Sequence, residues 1–239
     1  MLKAIFFDLD GTLLRIREDQ FAELYFRLMG EKMKAYGYDP ELIKKAFYQG
    51  TYRMMTNDGS RTNEEVFWSY FESVYPNARK DLSIFQSFYT EEFRQLDEIT
   101  EKTIGSKRIV SFVKKKGLLP VLSTNPIFPM VGQETRLSFL GLMAEDFAFV
   151  TSYENSSYCK PNPKYFQSLL TRFSLRPEEV IVFGNNDFED GDCASALGIK
   201  VYLVEGYLIH SSHAKGTYET IPFAAIPSVI EKEIEARSV

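Results

Sequence analysis

Residues 3–12 read KAIFFDLDGT: an apolar run passes straight into two acids, a glycine and a threonine. A run this short, stopped at once by turn residues, predicts a buried strand. Side chains alternate along a strand, so positions two apart point the same way, and Asp8 and Asp10 converge on one small volume. Two bare carboxylates that close would repel, and one would take up a proton. A hard divalent cation bound by oxygen removes that penalty, and Mg2+ is the usual choice beside phosphate. Gly11 and Thr12 permit a sharp exit from the strand. Taken alone, the pentad Asp-x-Asp-Gly-Thr also fits a surface turn closed by an Asx hydrogen bond.

The rest of the chain separates these readings. Beyond residue 102 a helix ending at Lys114-Lys115-Lys116-Gly117 is followed by the strand LLPVLS (118–123), a helix around QETRLSFLGL (133–142) and the strand DFAFVTS (146–152). Then come a helix over PKYFQSLLTRF (163–173), the strand EVIVFG (179–184), a helix through DCASALG (192–198) and the strand KVYLV (200–204). Strands alternating with helices imply right-handed crossovers and a parallel sheet, so the fold class is α/β, a doubly wound, Rossmann-like core.

Between residues 16 and 102 the texture differs. Four aromatic-rich helical stretches (19–37, 40–55, 63–75 and 82–96) are broken at Gly, Pro and Asn57-Asp58-Gly59, and Thr62 with Glu65 forms a capping box before the third. The chain is therefore read as a core of residues 1–15 and 103–239 interrupted by a smaller all-helical domain, 16–102. The tail beyond residue 205 is the least legible part, up to a final helix in PSVIEKEIEARSV.

In open parallel sheets ligands bind beyond the carboxyl ends of the strands. Four groups fall there. Asp8 and Asp10 end the first strand. Thr124 and Asn125 end the second, where a hydroxyl and an amide can hold a phosphoryl oxygen. Lys160, in a loop stiffened by Pro161 and Pro163, can neutralise a phosphate as a point charge. Asn185, Asn186, Asp187, Glu189, Asp190 and Asp192 crowd the end of the fourth, a density of acid that calls for a cation among them or for a helix N-terminus.

With these four motifs in order, FFDLDGT (6–12), LSTN (122–125), KPNPKYF (160–166) and FGNNDFEDGDCASALGI (183–199), the chain resembles the haloacid dehalogenase-like (HAD) hydrolase superfamily, phosphatase type, with a helical cap between the first two motifs. The resemblance implies that Asp8 is a nucleophile forming an aspartyl-phosphate and that Asp10 is the general acid and base. It implies that Asp8 and the Asp10 carbonyl hold Mg2+, and that Thr124, Asn125 and Lys160 bind the phosphoryl group. An aspartate at position 10 speaks for phosphate chemistry, because dehalogenating relatives lack it. One departure stands out: where the family has Gly-Asp, this chain has Gly184-Asn185. Asn185 through its amide oxygen, Asp190 or Asp187 would complete the metal shell; Asp190 is the first choice, acting directly, through water or through Lys160.

Composition sets the outer bounds. The 239 residues carry a net charge of −5, with 44% hydrophobic and 26% charged residues. A nucleic acid partner needs a basic stripe that this chain lacks, and no apolar run approaches the roughly 20 residues of a membrane span. The apolar start holds two acids and no small-residue cleavage site, so no signal peptide is expected and the expected location is cytoplasmic. Cys159 and Cys193 suggest no disulfide. His210 and His213 sit in a loop-like stretch and are not read as a zinc pair. The aromatic stripes, Trp68 included, could line an aromatic substrate pocket, but are read first as the helical domain's own core; Arg53, Asn57 and Arg61 are candidate specificity residues, and Arg15 and Glu18 hinge or contact residues. The expected function is Mg2+-dependent hydrolysis of a small phosphorylated metabolite by a monomer or homodimer. The alternatives are a phosphomutase of the same fold and a non-catalytic binding homologue weakened in metal affinity by Asn185.

Overall fold

A computed structural model of the protein describes residues 1–101 and 105–237; the expected boundary at 102/103 lies outside the described residues. The 3–7 run forms β1 (Ala4–Phe7), and the predicted strands follow as β2 (Leu119–Leu122), β3 (Phe149–Val150), β4 (Val180–Gly184) and β5 (Lys200–Val204). A sixth strand that sequence reading missed, β6 (Glu219–Ile221), completes the sheet. All pairings are parallel and the order is β3-β2-β1-β4-β5-β6. Phe7 lies level with Leu122 on one side and Phe183 on the other, so the three central strands end on one line.

The helices are α1 (Glu18–Lys34), α2 (Pro40–Met55), α3 (Asn63–Val74), α4 (Leu82–Thr90), α5 (Gly105–Lys115), α6 (Met130–Phe139), α7 (Lys164–Phe173), the short α8 (Cys193–Ser195) and α9 (Ile226–Ala236). Strand alternation assigns them to faces. Ile5 and Phe7 pack with Ile109 and Val113 of α5 and Ile226 and Ile230 of α9. Ala4 and Phe6 pack with Phe166 and Leu169 of α7 and Ala194 of α8. Burial on both faces is why β1 is a continuous apolar run rather than an alternating one. Among the described residues no helix is long and apolar enough to cross a membrane.

Helices α1 to α4 lie between β1 and β2 in the chain and pack on one another and, through α4, on α6. Asp39 caps α2, accepting from the Leu42 N–H at 2.8 Å with Pro40 at the first helical position. The Thr62–Glu65 capping box starts α3. The fourth predicted stretch does not run through: it breaks at Glu91 and continues as a 3-10 segment, Glu92–Ile99. The break turns Glu91 and Glu92 onto the one buried ammonium of Lys32, at 2.8 and 2.7 Å. It also brings Phe93 against Phe88 and Tyr89, with ring centroids 5.8 and 5.2 Å apart.

The helix predicted through 192–198 forms only as the short α8, and a π-helical turn that sequence reading did not expect, Asp187–Asp192, precedes it. Here the Asn186 side chain accepts the N–H groups of Phe188 and Glu189, both at 3.0 Å. The side chains of this stretch compete for the backbone and win.

Candidate active site

Because β1 lies between β2 and β4, the loops after β1, β2, β3 and β4 meet over the carboxyl end of β1, where the strand order reverses. The structure brings Asp8, Asp10, Thr124, Asn125, Lys160, Asn185 and Asp190 together along one cavity.

Asp8 is 7% exposed and lies at its floor. Its Oδ1 accepts from Lys160 Nζ at 2.8 Å, and its Oδ2 accepts a long hydrogen bond, 3.3 Å, from Thr12 Oγ1. Burial pushes the Asp8 carboxyl up to about 7 against the pull of Lys160, with Asp190 adding to the rise. Lys160 is itself buried, which alone would favour the neutral amine, but Asp190 and Asp8 hold it well above the ordinary lysine range.

Asp190 is wholly committed to the protein. Its Oδ1 accepts from Lys160 at 2.6 Å and its Oδ2 accepts from the backbone N–H groups of Asn185 and Asn186 at 3.1 Å each. This contact needs Gly184, since a Cβ there would stand 2.3 Å from the Asp190 carboxyl carbon. Of the roles weighed for Asp190, the geometry favours the one exerted through Lys160. Asp187 is equally occupied: His210 Nδ1 lies 3.0 Å from its Oδ2, and the Ser211 N–H donates to its Oδ1 at 2.9 Å. His210 therefore ties down a loop, and His213 sits against Phe188.

Asn185 is oriented. Its Nδ2 donates to the Tyr207 carbonyl at 2.7 Å, which turns its Oδ1 towards Thr12, 3.5 Å from Oγ1. Gly11, at φ +83°, makes room: a Cβ there would lie 2.1 Å from Asn185 Nδ2. On the other wall the Thr124 carbonyl is pinned by Thr151 Oγ1 at 2.7 Å and Tyr165 OH at 2.9 Å. Asn125 Nδ2 donates to Glu189 at 2.9 Å and to the Lys160 carbonyl at 3.3 Å, while its Oδ1 is buried without a partner. Glu189, pushed up to about 7 by burial, belongs to this wall.

Sequence reading missed Arg136. It is fully buried on α6 and is hydrogen-bonded through Nη1 to Asp10 Oδ2 and through Nη2 to Gln133 Oε1. Its guanidinium lies over Phe128, 4.4 Å from the centroid, and beside Phe21. Asp10 Oδ1 is buried with no partner among the described residues. Burial raises the Asp10 carboxyl and Arg136 opposes the rise. A signal was present: along QETRLSFLGL, Arg136 falls on the stripe that also buries Gly132, Gln133 and Leu137, and a charge on a core-facing stripe needs a partner.

Other expected residues fall elsewhere. Arg53, Asn57 and Arg61 are absent from the cavity wall among the described residues. Arg53 stacks on Tyr70, and the Asn57 amide is spent on the Arg61 carbonyl and the Asn63 side chain. Arg15 and Glu18 do line the mouth, with Arg15 bonded to Glu101 at 2.9 Å. So do Tyr207, Leu208 and Ile209, from the tail that sequence could not resolve. Tyr25, Phe47, Trp68, Phe85 and Tyr89 both pack the bundle and wall the cavity.

Comparison with known proteins agrees with this geometry. Glyceraldehyde 3-phosphate phosphatase from Pyrococcus furiosus is 26% identical over 212 residues, covering 83% of this chain and 79% of that protein. Acyl-CoA dehydrogenase family member 10 from Mus musculus is 30% identical over 109 residues, or 46% of this chain, which spans only 10% of that protein's length. The crystal structure of a HAD phosphatase from Thermococcus onnurineus superposes with a TM-score of 0.59 at 17% identity, covering 96% of this chain and 98% of that one, a likeness of fold. The family described as "Hydrolase: haloacid dehalogenase-like hydrolase" matches residues 2–202. The chain belongs to the haloacid dehalogenase-like hydrolases.

Proposed function

We propose that this chain is a Mg2+-dependent phosphohydrolase that removes phosphate from a small phosphorylated metabolite through an aspartyl-phosphate on Asp8. In this reading residues 1–15 and 103–239 are the hydrolase core and 16–102 the cap. The observation that carries it is the Asp8 carboxylate at the end of the central strand, 2.8 Å from a buried Lys160 and two residues from a second carboxyl.

Asp8 attacks phosphorus while Lys160 and Thr124 take up charge on the transferring oxygens. Positioning and neutralisation then supply most of the rate. Asp190 keeps Lys160 aimed and charged. Arg136 holds one oxygen of Asp10 and leaves Oδ1, the atom without a partner, to give a proton to the leaving oxygen and later take one from water.

The donor set fits a hard cation: the Asp8 carboxylate, the Asp10 carbonyl and the Asn185 Oδ1 are all oxygens, and Asn185 is already turned inward by Tyr207. When bound, Mg2+ would screen the phosphoryl charge and keep Asp8 ionised. With an amide in place of one carboxylate, affinity for the ion should be modest. The test is phosphate release from an aryl phosphate and a panel of metabolite phosphates, with Mg2+ or chelator. Metal-dependent release absent in Asp8→Asn supports the reading; release that survives the substitution refutes it.

A further inference from the structure

Beyond Asp10 the cavity continues into the helical bundle, and its volume of about 1090 Å³ is far larger than a phosphate on a short polyol requires. It exceeds the roughly 300–1,000 Å³ that encloses most drug-sized ligands. Its wall on the bundle side carries Phe26, Phe47, Tyr48, Met55, Trp68 and Phe85, with Thr51, Tyr52 and Gln86 among its polar groups from α2 and α4. Among the described residues, α2, α3 and α4 contribute no Lys, Arg, Asp or Glu to it.

The charges that line the cavity outside the catalytic cluster lie at the mouth, and the cations there are paired. Arg15 is bonded to Glu101 at 2.9 Å and Arg17 to Asp19 at 2.7 Å. Some polar groups of the wall are tied to one another: Tyr25 OH to Tyr89 OH at 3.1 Å, and Trp68 Nε1 donating to Tyr153 OH at 3.4 Å.

Such a wall discriminates by chemistry. A second phosphate or a carboxylate would lose its water there and find no cation in exchange. An apolar body would gain, by roughly fourfold in affinity for each methylene taken out of water. Resting on the phosphohydrolase reading above, we propose that the preferred substrate is a monophosphate ester whose alcohol portion is an uncharged, apolar chain or ring system lodged in the helical bundle.

The chain's sole tryptophan, Trp68, stands in this wall and reports on occupancy without turnover. Its emission is followed in the wild-type protein with Mg2+ during titration with n-hexylphosphonate, methylphosphonate or phosphonoacetate. In parallel, kcat/KM is measured for n-hexyl phosphate and glycerol 3-phosphate. The expected results are a Trp68 response to hexylphosphonate at a concentration at least tenfold below that for the other two, and a matching preference in kcat/KM.

Met55→Arg, which brings a charge to the wall, should cut the hexyl-to-glycerol ratio by tenfold or more. Phosphate release at equal or greater efficiency from glycerol 3-phosphate, with no tighter binding of hexylphosphonate, overturns the proposal and leaves the phosphohydrolase standing. Selective hexylphosphonate binding without Asp8-dependent release from any ester would keep the cavity's preference and sink the hydrolytic reading.

Discussion

The strand ends and the interior of the helical bundle form one continuous cavity, yet they are built on opposite principles. At the strand ends ionic and polar side chains are held by directional bonds: Lys160 by Asp8 and Asp190, Asp190 by two backbone N–H groups, Asn185 by the Tyr207 carbonyl. In the bundle the wall is aromatic, held by ring packing such as Phe67 on Phe71 at 5.4 Å and Trp68 on Phe85 at 5.6 Å. Directional bonds fix geometry to fractions of an ångström, whereas packing fixes volume and tolerates replacement by shapes of similar size. In the proposed reading the first region would decide what is done to a phosphate, and the second what the phosphate can be attached to.

The sharpest way to break this division is Asp8→Asn, nearly equal in volume. Phosphate release should fall by at least about 10³-fold with an unchanged circular dichroism spectrum. A variant that lost its fold as well would mean the ionic cluster is structural before it is chemical.

Arg136→Met tests the joint between the regions, because Arg136 packs on Phe128 and Phe21 while reaching Asp10. Removing one member of a buried pair should cost about 3–5 kcal/mol, read from the urea midpoint, together with lower turnover. An unchanged midpoint would show that the pair does not secure the fold.

Phe71→Ala sharpens the contrast from the other side. Phe71 is fully buried in the bundle and lies off the cavity wall. Stability should fall by about 3 kcal/mol, while turnover well below the melting transition should change little. A large loss of turnover at such temperatures would join the two regions mechanically.

Asn185→Asp is a smaller change with two opposed effects. The Tyr207 carbonyl loses its donor, so the metal-free protein should lose about 1–3 kcal/mol. The added charge should lower the Mg2+ concentration for half activity several-fold. An unchanged Mg2+ requirement would remove position 185 from the metal shell.

The smallest effect is expected at the opposite end of the sheet. Hydrogen bonds from Lys3 and from the Arg176 N–H hold Glu179 down to about 2. Its contribution to stability is therefore complete above the unfolded-state value of about 4.5 and disappears as the pH falls towards 2. Glu179→Gln should flatten the stability profile in that window and leave phosphate release at neutral pH unaltered.

Much of this was legible from residues alone. The apolar run ending at Asp8 announced β1, and period and punctuation located four of the other five strands. The four motifs predicted which residues meet because a parallel sheet delivers all its carboxyl ends to one edge. Elements that departed from expectation did so where side chains overrode local propensity: the helix expected through Leu96 broke at Glu91, where two glutamates reach Lys32, and the helix expected through 192–198 is cut to Cys193–Ser195 behind the turn that aims Asp190. Strand β6 carries only three residues, Glu219, Thr220 and Ile221, and draws its identity from the edge of β5.

By itself the sequence determined which residues gather at the candidate site, because Asp8, Asp10, Thr124 and Lys160 each stand at or just beyond a strand end that short-range pattern can place. Only the tertiary structure decided the rest. Whether Asp190 faces a cation or Lys160, whether Arg136 is a surface charge or the partner of Asp10, and whether Trp68 is core or cavity wall depend on distances between residues tens of positions apart. Local pattern reports which side of its own element a residue occupies. What waits on that side is set by how the elements pack.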